Sequence, residues 1–313
     1  MSIKHVAVVI LNYNSEKDLQ ACAEQIARQE GVRLSIILVD NASRPASLVT
    51  IRLWLTDWNS AAICGTADEI DTWAFQNPAR PNDTSCVYFI ENNANDGYSA
   101  GNNIGIRLAD TLKADAVLIA NPDMRIEDPN YLKELSTQMF ADSVNFIAAS
   151  RILGLDGVDQ NPLREPSFLE EFFWPRWLFK SFFKQITYII PCPLDRSTVV
   201  PKVSGCCLML RMEFLRQSGY FDENVFLYCE EPILSAKVQA LQGKILYVPT
   251  MVAVHAHVAS KKENSSKRML LFIASRRYYL TRYSGYGKVK QSFLNISYSF
   301  LKICHLTTAR YKI

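Results

Sequence analysis

The most constraining stretch of this chain is residues 116–126, AVLIANPDMRI. Its opening run, Ala116–Ala120, is apolar without interruption, the pattern of a parallel strand covered on both faces. Pro122 fixes its own φ and drives Asn121 towards an extended conformation, so Asp123 stands in a rigid turn just past the strand. In open α/β sheets, ligands bind in the crevice beyond the carboxyl ends of the strands. A carboxylate there suits a hard divalent cation clamping a diphosphate. It suits equally a turn whose Asp caps a helix starting near Pro129.

Similar strands recur along the chain. Apolar runs predict strands over 5–11, 34–39, 86–91, 146–151, 203–210, 245–248 and 251–254. Between them the pattern predicts helices over 16–29, 102–112, 129–140, 211–218 and from Pro232 to about 242. Ser15 and Asp18 form a variant capping box for the first helix. The β-α-β opening implies a parallel sheet with a right-handed crossover. No GxGxxG follows the first strand, so this is not a dinucleotide fingerprint.

Several polar clusters fall at strand ends. Asp40 is placed either to hydrogen-bond a base or ribose or to close an Asx-type turn. Residues 92–105, NNANDGYSAGNNIG, carry glycines at 97, 101 and 105, which permit positive φ and close backbone approach to a ligand. A helix over 102–112 would aim its N-terminus at a phosphate. Glu230 and Glu231 sit at the positive end of the helix that Pro232 opens, where a helix-dipole role is also available. His255 and His257, two apart on a strand, share a face and reach one site or simply the surface.

With 49% apolar and 21% charged residues, this is the composition of a folded protein. The eight cysteines show no metal-type CxxC pair and no disulfide framework, which points to a reducing cytosol. The N-terminus enters a strand directly, with an apolar run too short for a signal peptide, and no run of about 18 uncharged apolar residues predicts a spanning helix. The net charge of +3 conceals an asymmetry: residues 258–313 hold twelve Lys/Arg and one acid, the remainder 22 bases and 30 acids. An acidic body with no recognition motif argues against nucleic acid, and the basic end suggests a polyanionic neighbour. There, Val289, Phe293, Ile296, Phe300 and Ile303 form an apolar helical stripe flanked by Lys288, Lys290 and Lys302, fit to dock on a membrane surface, a partner or a second copy. The aromatic segment 168–188 places Arg176, Lys180 and Lys184 on one helical face after Pro175, and reads as a membrane-interface segment or as a lid on the core.

Taken together, VVILNYN, ILVDNAS, NANDGYSAGNN, LIANPD, SGCCLMLR, GYFDENVFLYCEE and VPTMVAVHAHVAS resemble, in order and spacing, the inverting family 2 glycosyltransferases. The resemblance covers about residues 5–260 and is closest to bacterial rhamnosyltransferase-type enzymes that extend lipid-linked polysaccharide precursors. It implies a GT-A fold over 1–260, a Rossmann-like, mostly parallel α/β sheet with a nucleotide-sugar half (1–128) and an acceptor half (129–260), followed by a basic amphipathic helical tail (261–313). By resemblance, Asn12 and Asp40 contact the nucleotide's base and ribose. Asn14, Asn95, Gly97, Asn102, Asn103 and Asp123 line the rest of the nucleotide-sugar. Asp123 and His255 hold Mg²⁺ or Mn²⁺, and Glu231, with Glu230 beside it, stands where the base that deprotonates the acceptor hydroxyl belongs. The family pattern there is roughly Glu-Asp-x-Asp-Leu, whereas this chain has Glu230-Glu231-Pro232-Ile233-Leu234. The expected function is sugar transfer from a nucleotide donor, dTDP-rhamnose by analogy, to a lipid-linked glycan at the inner face of the cell membrane. The alternative is a catalytically impaired GT-A module that binds nucleotide-sugar or scaffolds a glycan-assembly complex.

Overall fold

The computed structural model describes residues 3–77, 85–173, 188–257 and 265–310. Its first half alternates strand and helix: β1 (His5–Asn12), α1 (Glu16–Ile26), β2 (Arg33–Asn41), α2 (Pro45–Trp58), β3 (Ile63–Gly65), α3 (Ala67–Gln76), β4 (Ser85–Asn92), α4 (Tyr98–Thr111) and β5 (Ala116–Ala120). The second half comprises β6 (Met124–Arg125), α5 (Tyr131–Phe140), β7 (Asn145–Gly154), α6 (Phe168–Phe172), β8 (Thr198–Val200), β9 (Cys207–Arg211), α7 (Met212–Ser218), α8 (Glu230–Ala240) and β10 (Lys244–His255). Two helices follow, α9 (Ser265–Arg282) and α10 (Lys288–Arg310). The segment holding Pro175, Arg176, Lys180 and Lys184 lies outside the described residues.

The strands form one sheet in the order β3-β4-β2-β1-β5-β9-β7-β10-β6, with β8 paired to β10. The five strands from β3 to β5 in this order are parallel. β9 then runs antiparallel to both β5 and β7, and β7 is parallel to β10. The apolar runs are uninterrupted because both faces are covered. In β1, Val6, Val8 and Ile10 join a core shared with α1, α2 and α5, while Ala7 and Val9 face α3, α4, α7 and α8 on the other side.

Three sequence expectations change. The capping box at Ser15 does not form: its hydroxyl donates to the Tyr13 carbonyl, and Asp18 pairs with Arg125 instead. The two short strands near 250 are one, β10, with a register shift between Val248 and Val252; Pro249, which cannot donate a ladder hydrogen bond, falls inside this irregularity. α4 starts at Tyr98, so Asn102 and Asn103 lie in its body and not ahead of its N-terminus. The glycines of this segment serve packing within the protein. A Cβ on Gly101 would come within 2.6 Å of Leu11, and one on Gly105 within 2.6 Å of Val9, so their four-residue spacing lays one face of α4 onto β1. At Gly97 (φ 102°) it would meet the Phe226 carbonyl oxygen at 2.3 Å, and the Tyr98 N–H donates to that same oxygen at 2.8 Å.

The basic C-terminal segment packs as part of the body. Ile273, Tyr279, Leu280, Leu294 and Tyr298 bury themselves with Val225, Cys229 and Ile233 at the start of α8. The buried Arg276 donates to both oxygens of buried Glu171 (2.7 and 2.9 Å) and to Glu165 (2.7 Å), and the Tyr298 hydroxyl donates to Glu171.

Two glycine substitutions separate backbone strain from close approach. Gly219 caps α7 in the left-handed region with nothing within 4 Å of an added Cβ, so Gly219→Ala is expected to cost about 1 kcal/mol. Gly97→Ala combines a glycine-only conformation with a collision against backbone, and is expected to cost roughly 3 kcal/mol or more. Urea denaturation of the two variants beside wild type checks this; equal losses would show that Gly97 has no packing role.

Candidate functional site

Asp123 is delivered by the turn that ends β5. The Asn121 N–H donates to the Cys206 carbonyl at 2.8 Å and the Met124 N–H closes on the Asn121 carbonyl at 3.0 Å. α5 takes Asn130 as its N-cap, so Asp123 is not its cap. β6 pairs antiparallel with β10, setting Met124 opposite His255, and the Ala256 N–H donates to the Asp123 carbonyl at 2.8 Å. This brings the carboxylate to the histidines. Asp123 Oδ1 lies 3.3 Å from His255 Nε2, and Oδ2 lies 3.1 Å from His257 Nδ1. One ligand atom from each of the three residues falls within 4.8 Å of the others. Sequence reasoning had set both imidazoles on one face; the β6–β10 pairing brings His257 into the set beside His255 and Asp123.

The chemistry of this cluster fits a cation. Asp123 Oδ1 is buried and has no hydrogen-bond partner among the described residues. Across from it, His255 Nδ1 contacts Gln160 Oε1 at 2.8 Å, an atom that can only accept, so in the neutral ring the proton sits on Nδ1 and Nε2 turns a lone pair towards Oδ1. Two acceptors facing each other are stabilised by a positive charge between them.

The acid pair arrives from the other half. Tyr228 and Cys229 adopt positive φ (73° and 70°), turning the chain into α8 at Glu230. Glu231 accepts from the Gly205 N–H at 3.2 Å, and the Gly205 carbonyl accepts from the Tyr98 hydroxyl at 2.8 Å. Residues 204–206 therefore form a joint, with Glu231 bound at Gly205 and the Asp123 turn bound at Cys206. Both carboxylates act on the Cys206 thiol, which burial above all pushes up to about 12. Glu230 is 7% exposed and its Oε1 has no partner among the described residues. Burial first, and then the neighbouring Glu231, push its carboxyl up to about 8.

The residues assigned by resemblance to the nucleotide-sugar fall into two groups. Asn12 (0% exposed) and Asp40 (1%) are opposite each other in the β1–β2 register and hydrogen-bonded at 2.7 Å. Asp40 also accepts from the Ser43 N–H, and the Asn12 side-chain Oδ1 from the Ser15 N–H, so the pair shapes the loops after β1 and β2. Asn103 is buried, with its amide bonded to both the N–H and the carbonyl of Phe221 and to Glu223, and Asn102 donates to the Tyr98 carbonyl within α4. Nearer the surface, Asn14 accepts from Arg44, and Asn95 accepts from Asn41 and from the Gly97 N–H. The loops after β1, β2 and β4 thus meet at the carboxyl edge of the sheet beside the Asp123 turn.

No protein-family profile matches the sequence. Over 230 residues the chain is 26% identical to the low-salt glycan biosynthesis hexosyltransferase Agl10 of Haloferax volcanii, covering 72% of this chain and 59% of that protein. Among solved structures, it superposes on the mannosyltransferase PcManGT from Pyrobaculum calidifontis in complex with GDP-Man and Mn²⁺ with a TM-score of 0.57 at 15% identity, covering 99% of this chain and 76% of that one. It also matches GalNAc-T7 with UDP, GalNAc and Mn²⁺ (TM-score 0.56, 14% identity, 95% of this chain and 55% of that one). The S. aureus TarS fragment 1–349 in complex with UDP-GlcNAc gives a TM-score of 0.53 at 13% identity, covering 93% of this chain and 70% of that one. The fold of the chain is therefore the GT-A fold of glycosyltransferases.

Proposed function

We propose that this chain is an inverting glycosyltransferase that moves a sugar from a nucleotide donor to a glycan acceptor. The observation that carries the reading is the joint at residues 204–206, which sets the Asp123–His255–His257 cluster on one side and Glu231 on the other. A single displacement needs that division. The acceptor hydroxyl oxygen attacks the anomeric carbon, the bond from that carbon to the diphosphate oxygen breaks, and the hydroxyl proton passes to a carboxylate on the acceptor side. Glu231 is the base in this reading. Glu230, buried beside it, is pushed up by burial and then by Glu231, and so is the poorer base of the two.

The donor's diphosphate would lie against Asp123, His255 and His257, over the loops shaped by Asn12, Asn14, Asp40, Asn95, Gly97, Asn102 and Asn103. A divalent cation held by the three ligands would offset the charge of the departing nucleoside diphosphate. Two imidazoles beside one carboxylate favour Mn²⁺ over Mg²⁺, which prefers oxygen ligands. The name of the Haloferax relative and the GDP-Man and UDP-GlcNAc complexes of the structural neighbours support a hexose donor. dTDP-rhamnose is the specific donor we propose, by analogy with the family resemblance alone.

The acceptor we propose is a lipid-linked glycan, with the protein at the inner face of the membrane. No helix of the described residues is long and apolar enough to cross one. α10 instead exposes Val289 (71%), Phe293 (53%) and Ile296 (69%) beside exposed Lys288, Lys290 and Lys302, the composition of an interfacial helix.

The activity test is release of nucleoside diphosphate from a panel of dTDP-, UDP- and GDP-sugars with membrane extract as acceptor source. Chelation is expected to abolish turnover and Mn²⁺ to restore it. Asp123→Ala and Glu231→Gln are each expected to lower kcat by on the order of a hundredfold or more. Donor binding that needs Asp123, with no turnover and no effect of Glu231→Gln, would favour the impaired binding module. The charge division within the acid pair has its own readout. A carboxyl whose folded pKa is raised contributes stability below its unfolded value and loses it as pH climbs towards the folded value. Wild type should therefore weaken between about pH 5 and 8, and Glu230→Gln should remove most of that slope, gaining on the order of 2 kcal/mol more at pH 8.5 than at pH 5.5 in urea titrations. Parallel pH profiles would mean that Glu230 is already ionised at neutral pH.

A further inference from the structure

We propose that Gln160 is a positioning residue of the cation site, fixing which nitrogen of His255 faces Asp123; the inference rests on reading Asp123, His255 and His257 as that site. Gln160 belongs to neither β6 nor β10, and sequence reasoning did not single it out. It stands at the end of a short loop that folds back along β7, tied by Gly154 N–H to the Val158 carbonyl (2.9 Å), Gly157 N–H to the Gly154 carbonyl (2.9 Å) and Gln160 N–H to the Ile152 carbonyl (2.8 Å). The Arg151–Asp159 ion pair, bidentate at 2.6 and 3.0 Å, pins the same loop from its side chains. β7 and β10 run in parallel register with Gly154 opposite His255, which brings the loop over the imidazole. The amide then has a defined orientation. Its oxygen meets His255 Nδ1 at 2.8 Å, while its nitrogen lies towards Gly154, where an added Cβ would stand 3.0 Å away. A larger residue at 154 would crowd the amide that orients the ring.

The consequence is chemical. With the amide oxygen at Nδ1, the ring proton is held there, and Nε2 presents its lone pair to Asp123 Oδ1 at 3.3 Å. That arrangement leaves both acceptor atoms ready for a cation. Were the proton on Nε2, it would bond Asp123 directly and the two groups would satisfy each other. Gln160 thus selects the open, cation-accepting form of the cluster over a closed His–Asp pair. It does so without touching the cation, the donor or the acceptor.

The test is the affinity of the full-length protein for Mn²⁺ alone, followed by the electron paramagnetic resonance of the free ion, in wild type, Gln160→Leu, Gln160→Glu and Asp123→Asn. Gln160→Leu is expected to bind Mn²⁺ about 10- to 100-fold more weakly, the usual effect of losing a group that orients a ligating histidine. Gln160→Glu, which still accepts from Nδ1, is expected to return affinity to within a few-fold of wild type. Long-range ¹⁵N–¹H correlation spectra of the cation-free protein report the tautomer directly: the proton should sit on His255 Nδ1 in wild type and move to Nε2 in Gln160→Leu. If Asp123→Asn leaves Mn²⁺ binding unchanged, the cation-site reading itself falls. If Asp123→Asn removes binding while Gln160→Leu keeps both wild-type affinity and the Nδ1 tautomer, the site stands and the role of Gln160 is overturned.

Discussion

The structure depends on the reversal of direction at β9. Where β1 to β5 all run one way, β9 enters between β5 and β7 antiparallel to both. An antiparallel strand begins where its neighbour ends, so the residues leading into β9 arrive at the carboxyl end of β5, beside Asp123. The backbone groups of 204–206 are then bonded from three directions: Asn121 reaches Cys206, and both Tyr98 and Glu231 reach Gly205. None of these partners is close to another in sequence. A single reversal in strand direction therefore brings groups from distant parts of the chain together at the carboxyl end of β5, the place where open α/β sheets bind ligands.

What was legible in the sequence was whatever the local chain decides. Ala116–Ala120 reads as a covered strand because five apolar residues in a row fit little else, and the rigid Asn-Pro-Asp turn follows from proline stereochemistry. The glycines at 101 and 105 show what local reading leaves open. Glycines every four residues fit a ligand loop and a close-packed helix face equally well, and only the position of β1 under α4 decides for the helix. The Asp123–His255–His257 cluster was legible in part: the three residues stand out as chemistry, but their meeting depends on the β6–β10 pairing across more than a hundred residues. Gln160 was not legible at all. Its role depends on the register of β7 against β10, and no local pattern marks it.

Charge marked the C-terminal helices without showing how they pack. An excess of Lys and Arg in the last fifth of the chain reads as a helical extension, which α9 and α10 form; that it also packs inward is carried by Arg276, 6% exposed and paired with Glu165 and Glu171. Burying a guanidinium is tolerable only with such partners; removing it would leave buried Glu171 without its cation, a loss of about 3–5 kcal/mol for comparable pairs, while Glu165 would keep Lys202. The same helix reaches the acid loop, since the Ser275 hydroxyl donates to the Leu227 carbonyl at 2.7 Å. α9 thereby steadies the left-handed turn at Tyr228 and Cys229 that carries the chain to Glu230.

This docking also accounts for the departure from the Glu-Asp-x-Asp-Leu pattern. Ile233 occupies the position of the last acid, and it is 1% exposed among Ile273, Leu280 and Leu294. With α9 and α10 laid over that face of α8, a carboxylate at 233 would be buried among apolar side chains, where an unpaired charge costs several kcal/mol. An apolar residue at 233 and helices packed over it are therefore two aspects of one arrangement. The acids that remain are the two at the head of α8, one at the crevice joint and one buried beside it. The loss of an acid at 233 removes charge from the helical interface and leaves the Glu231–Gly205 contact, on which the proposed chemistry turns, intact.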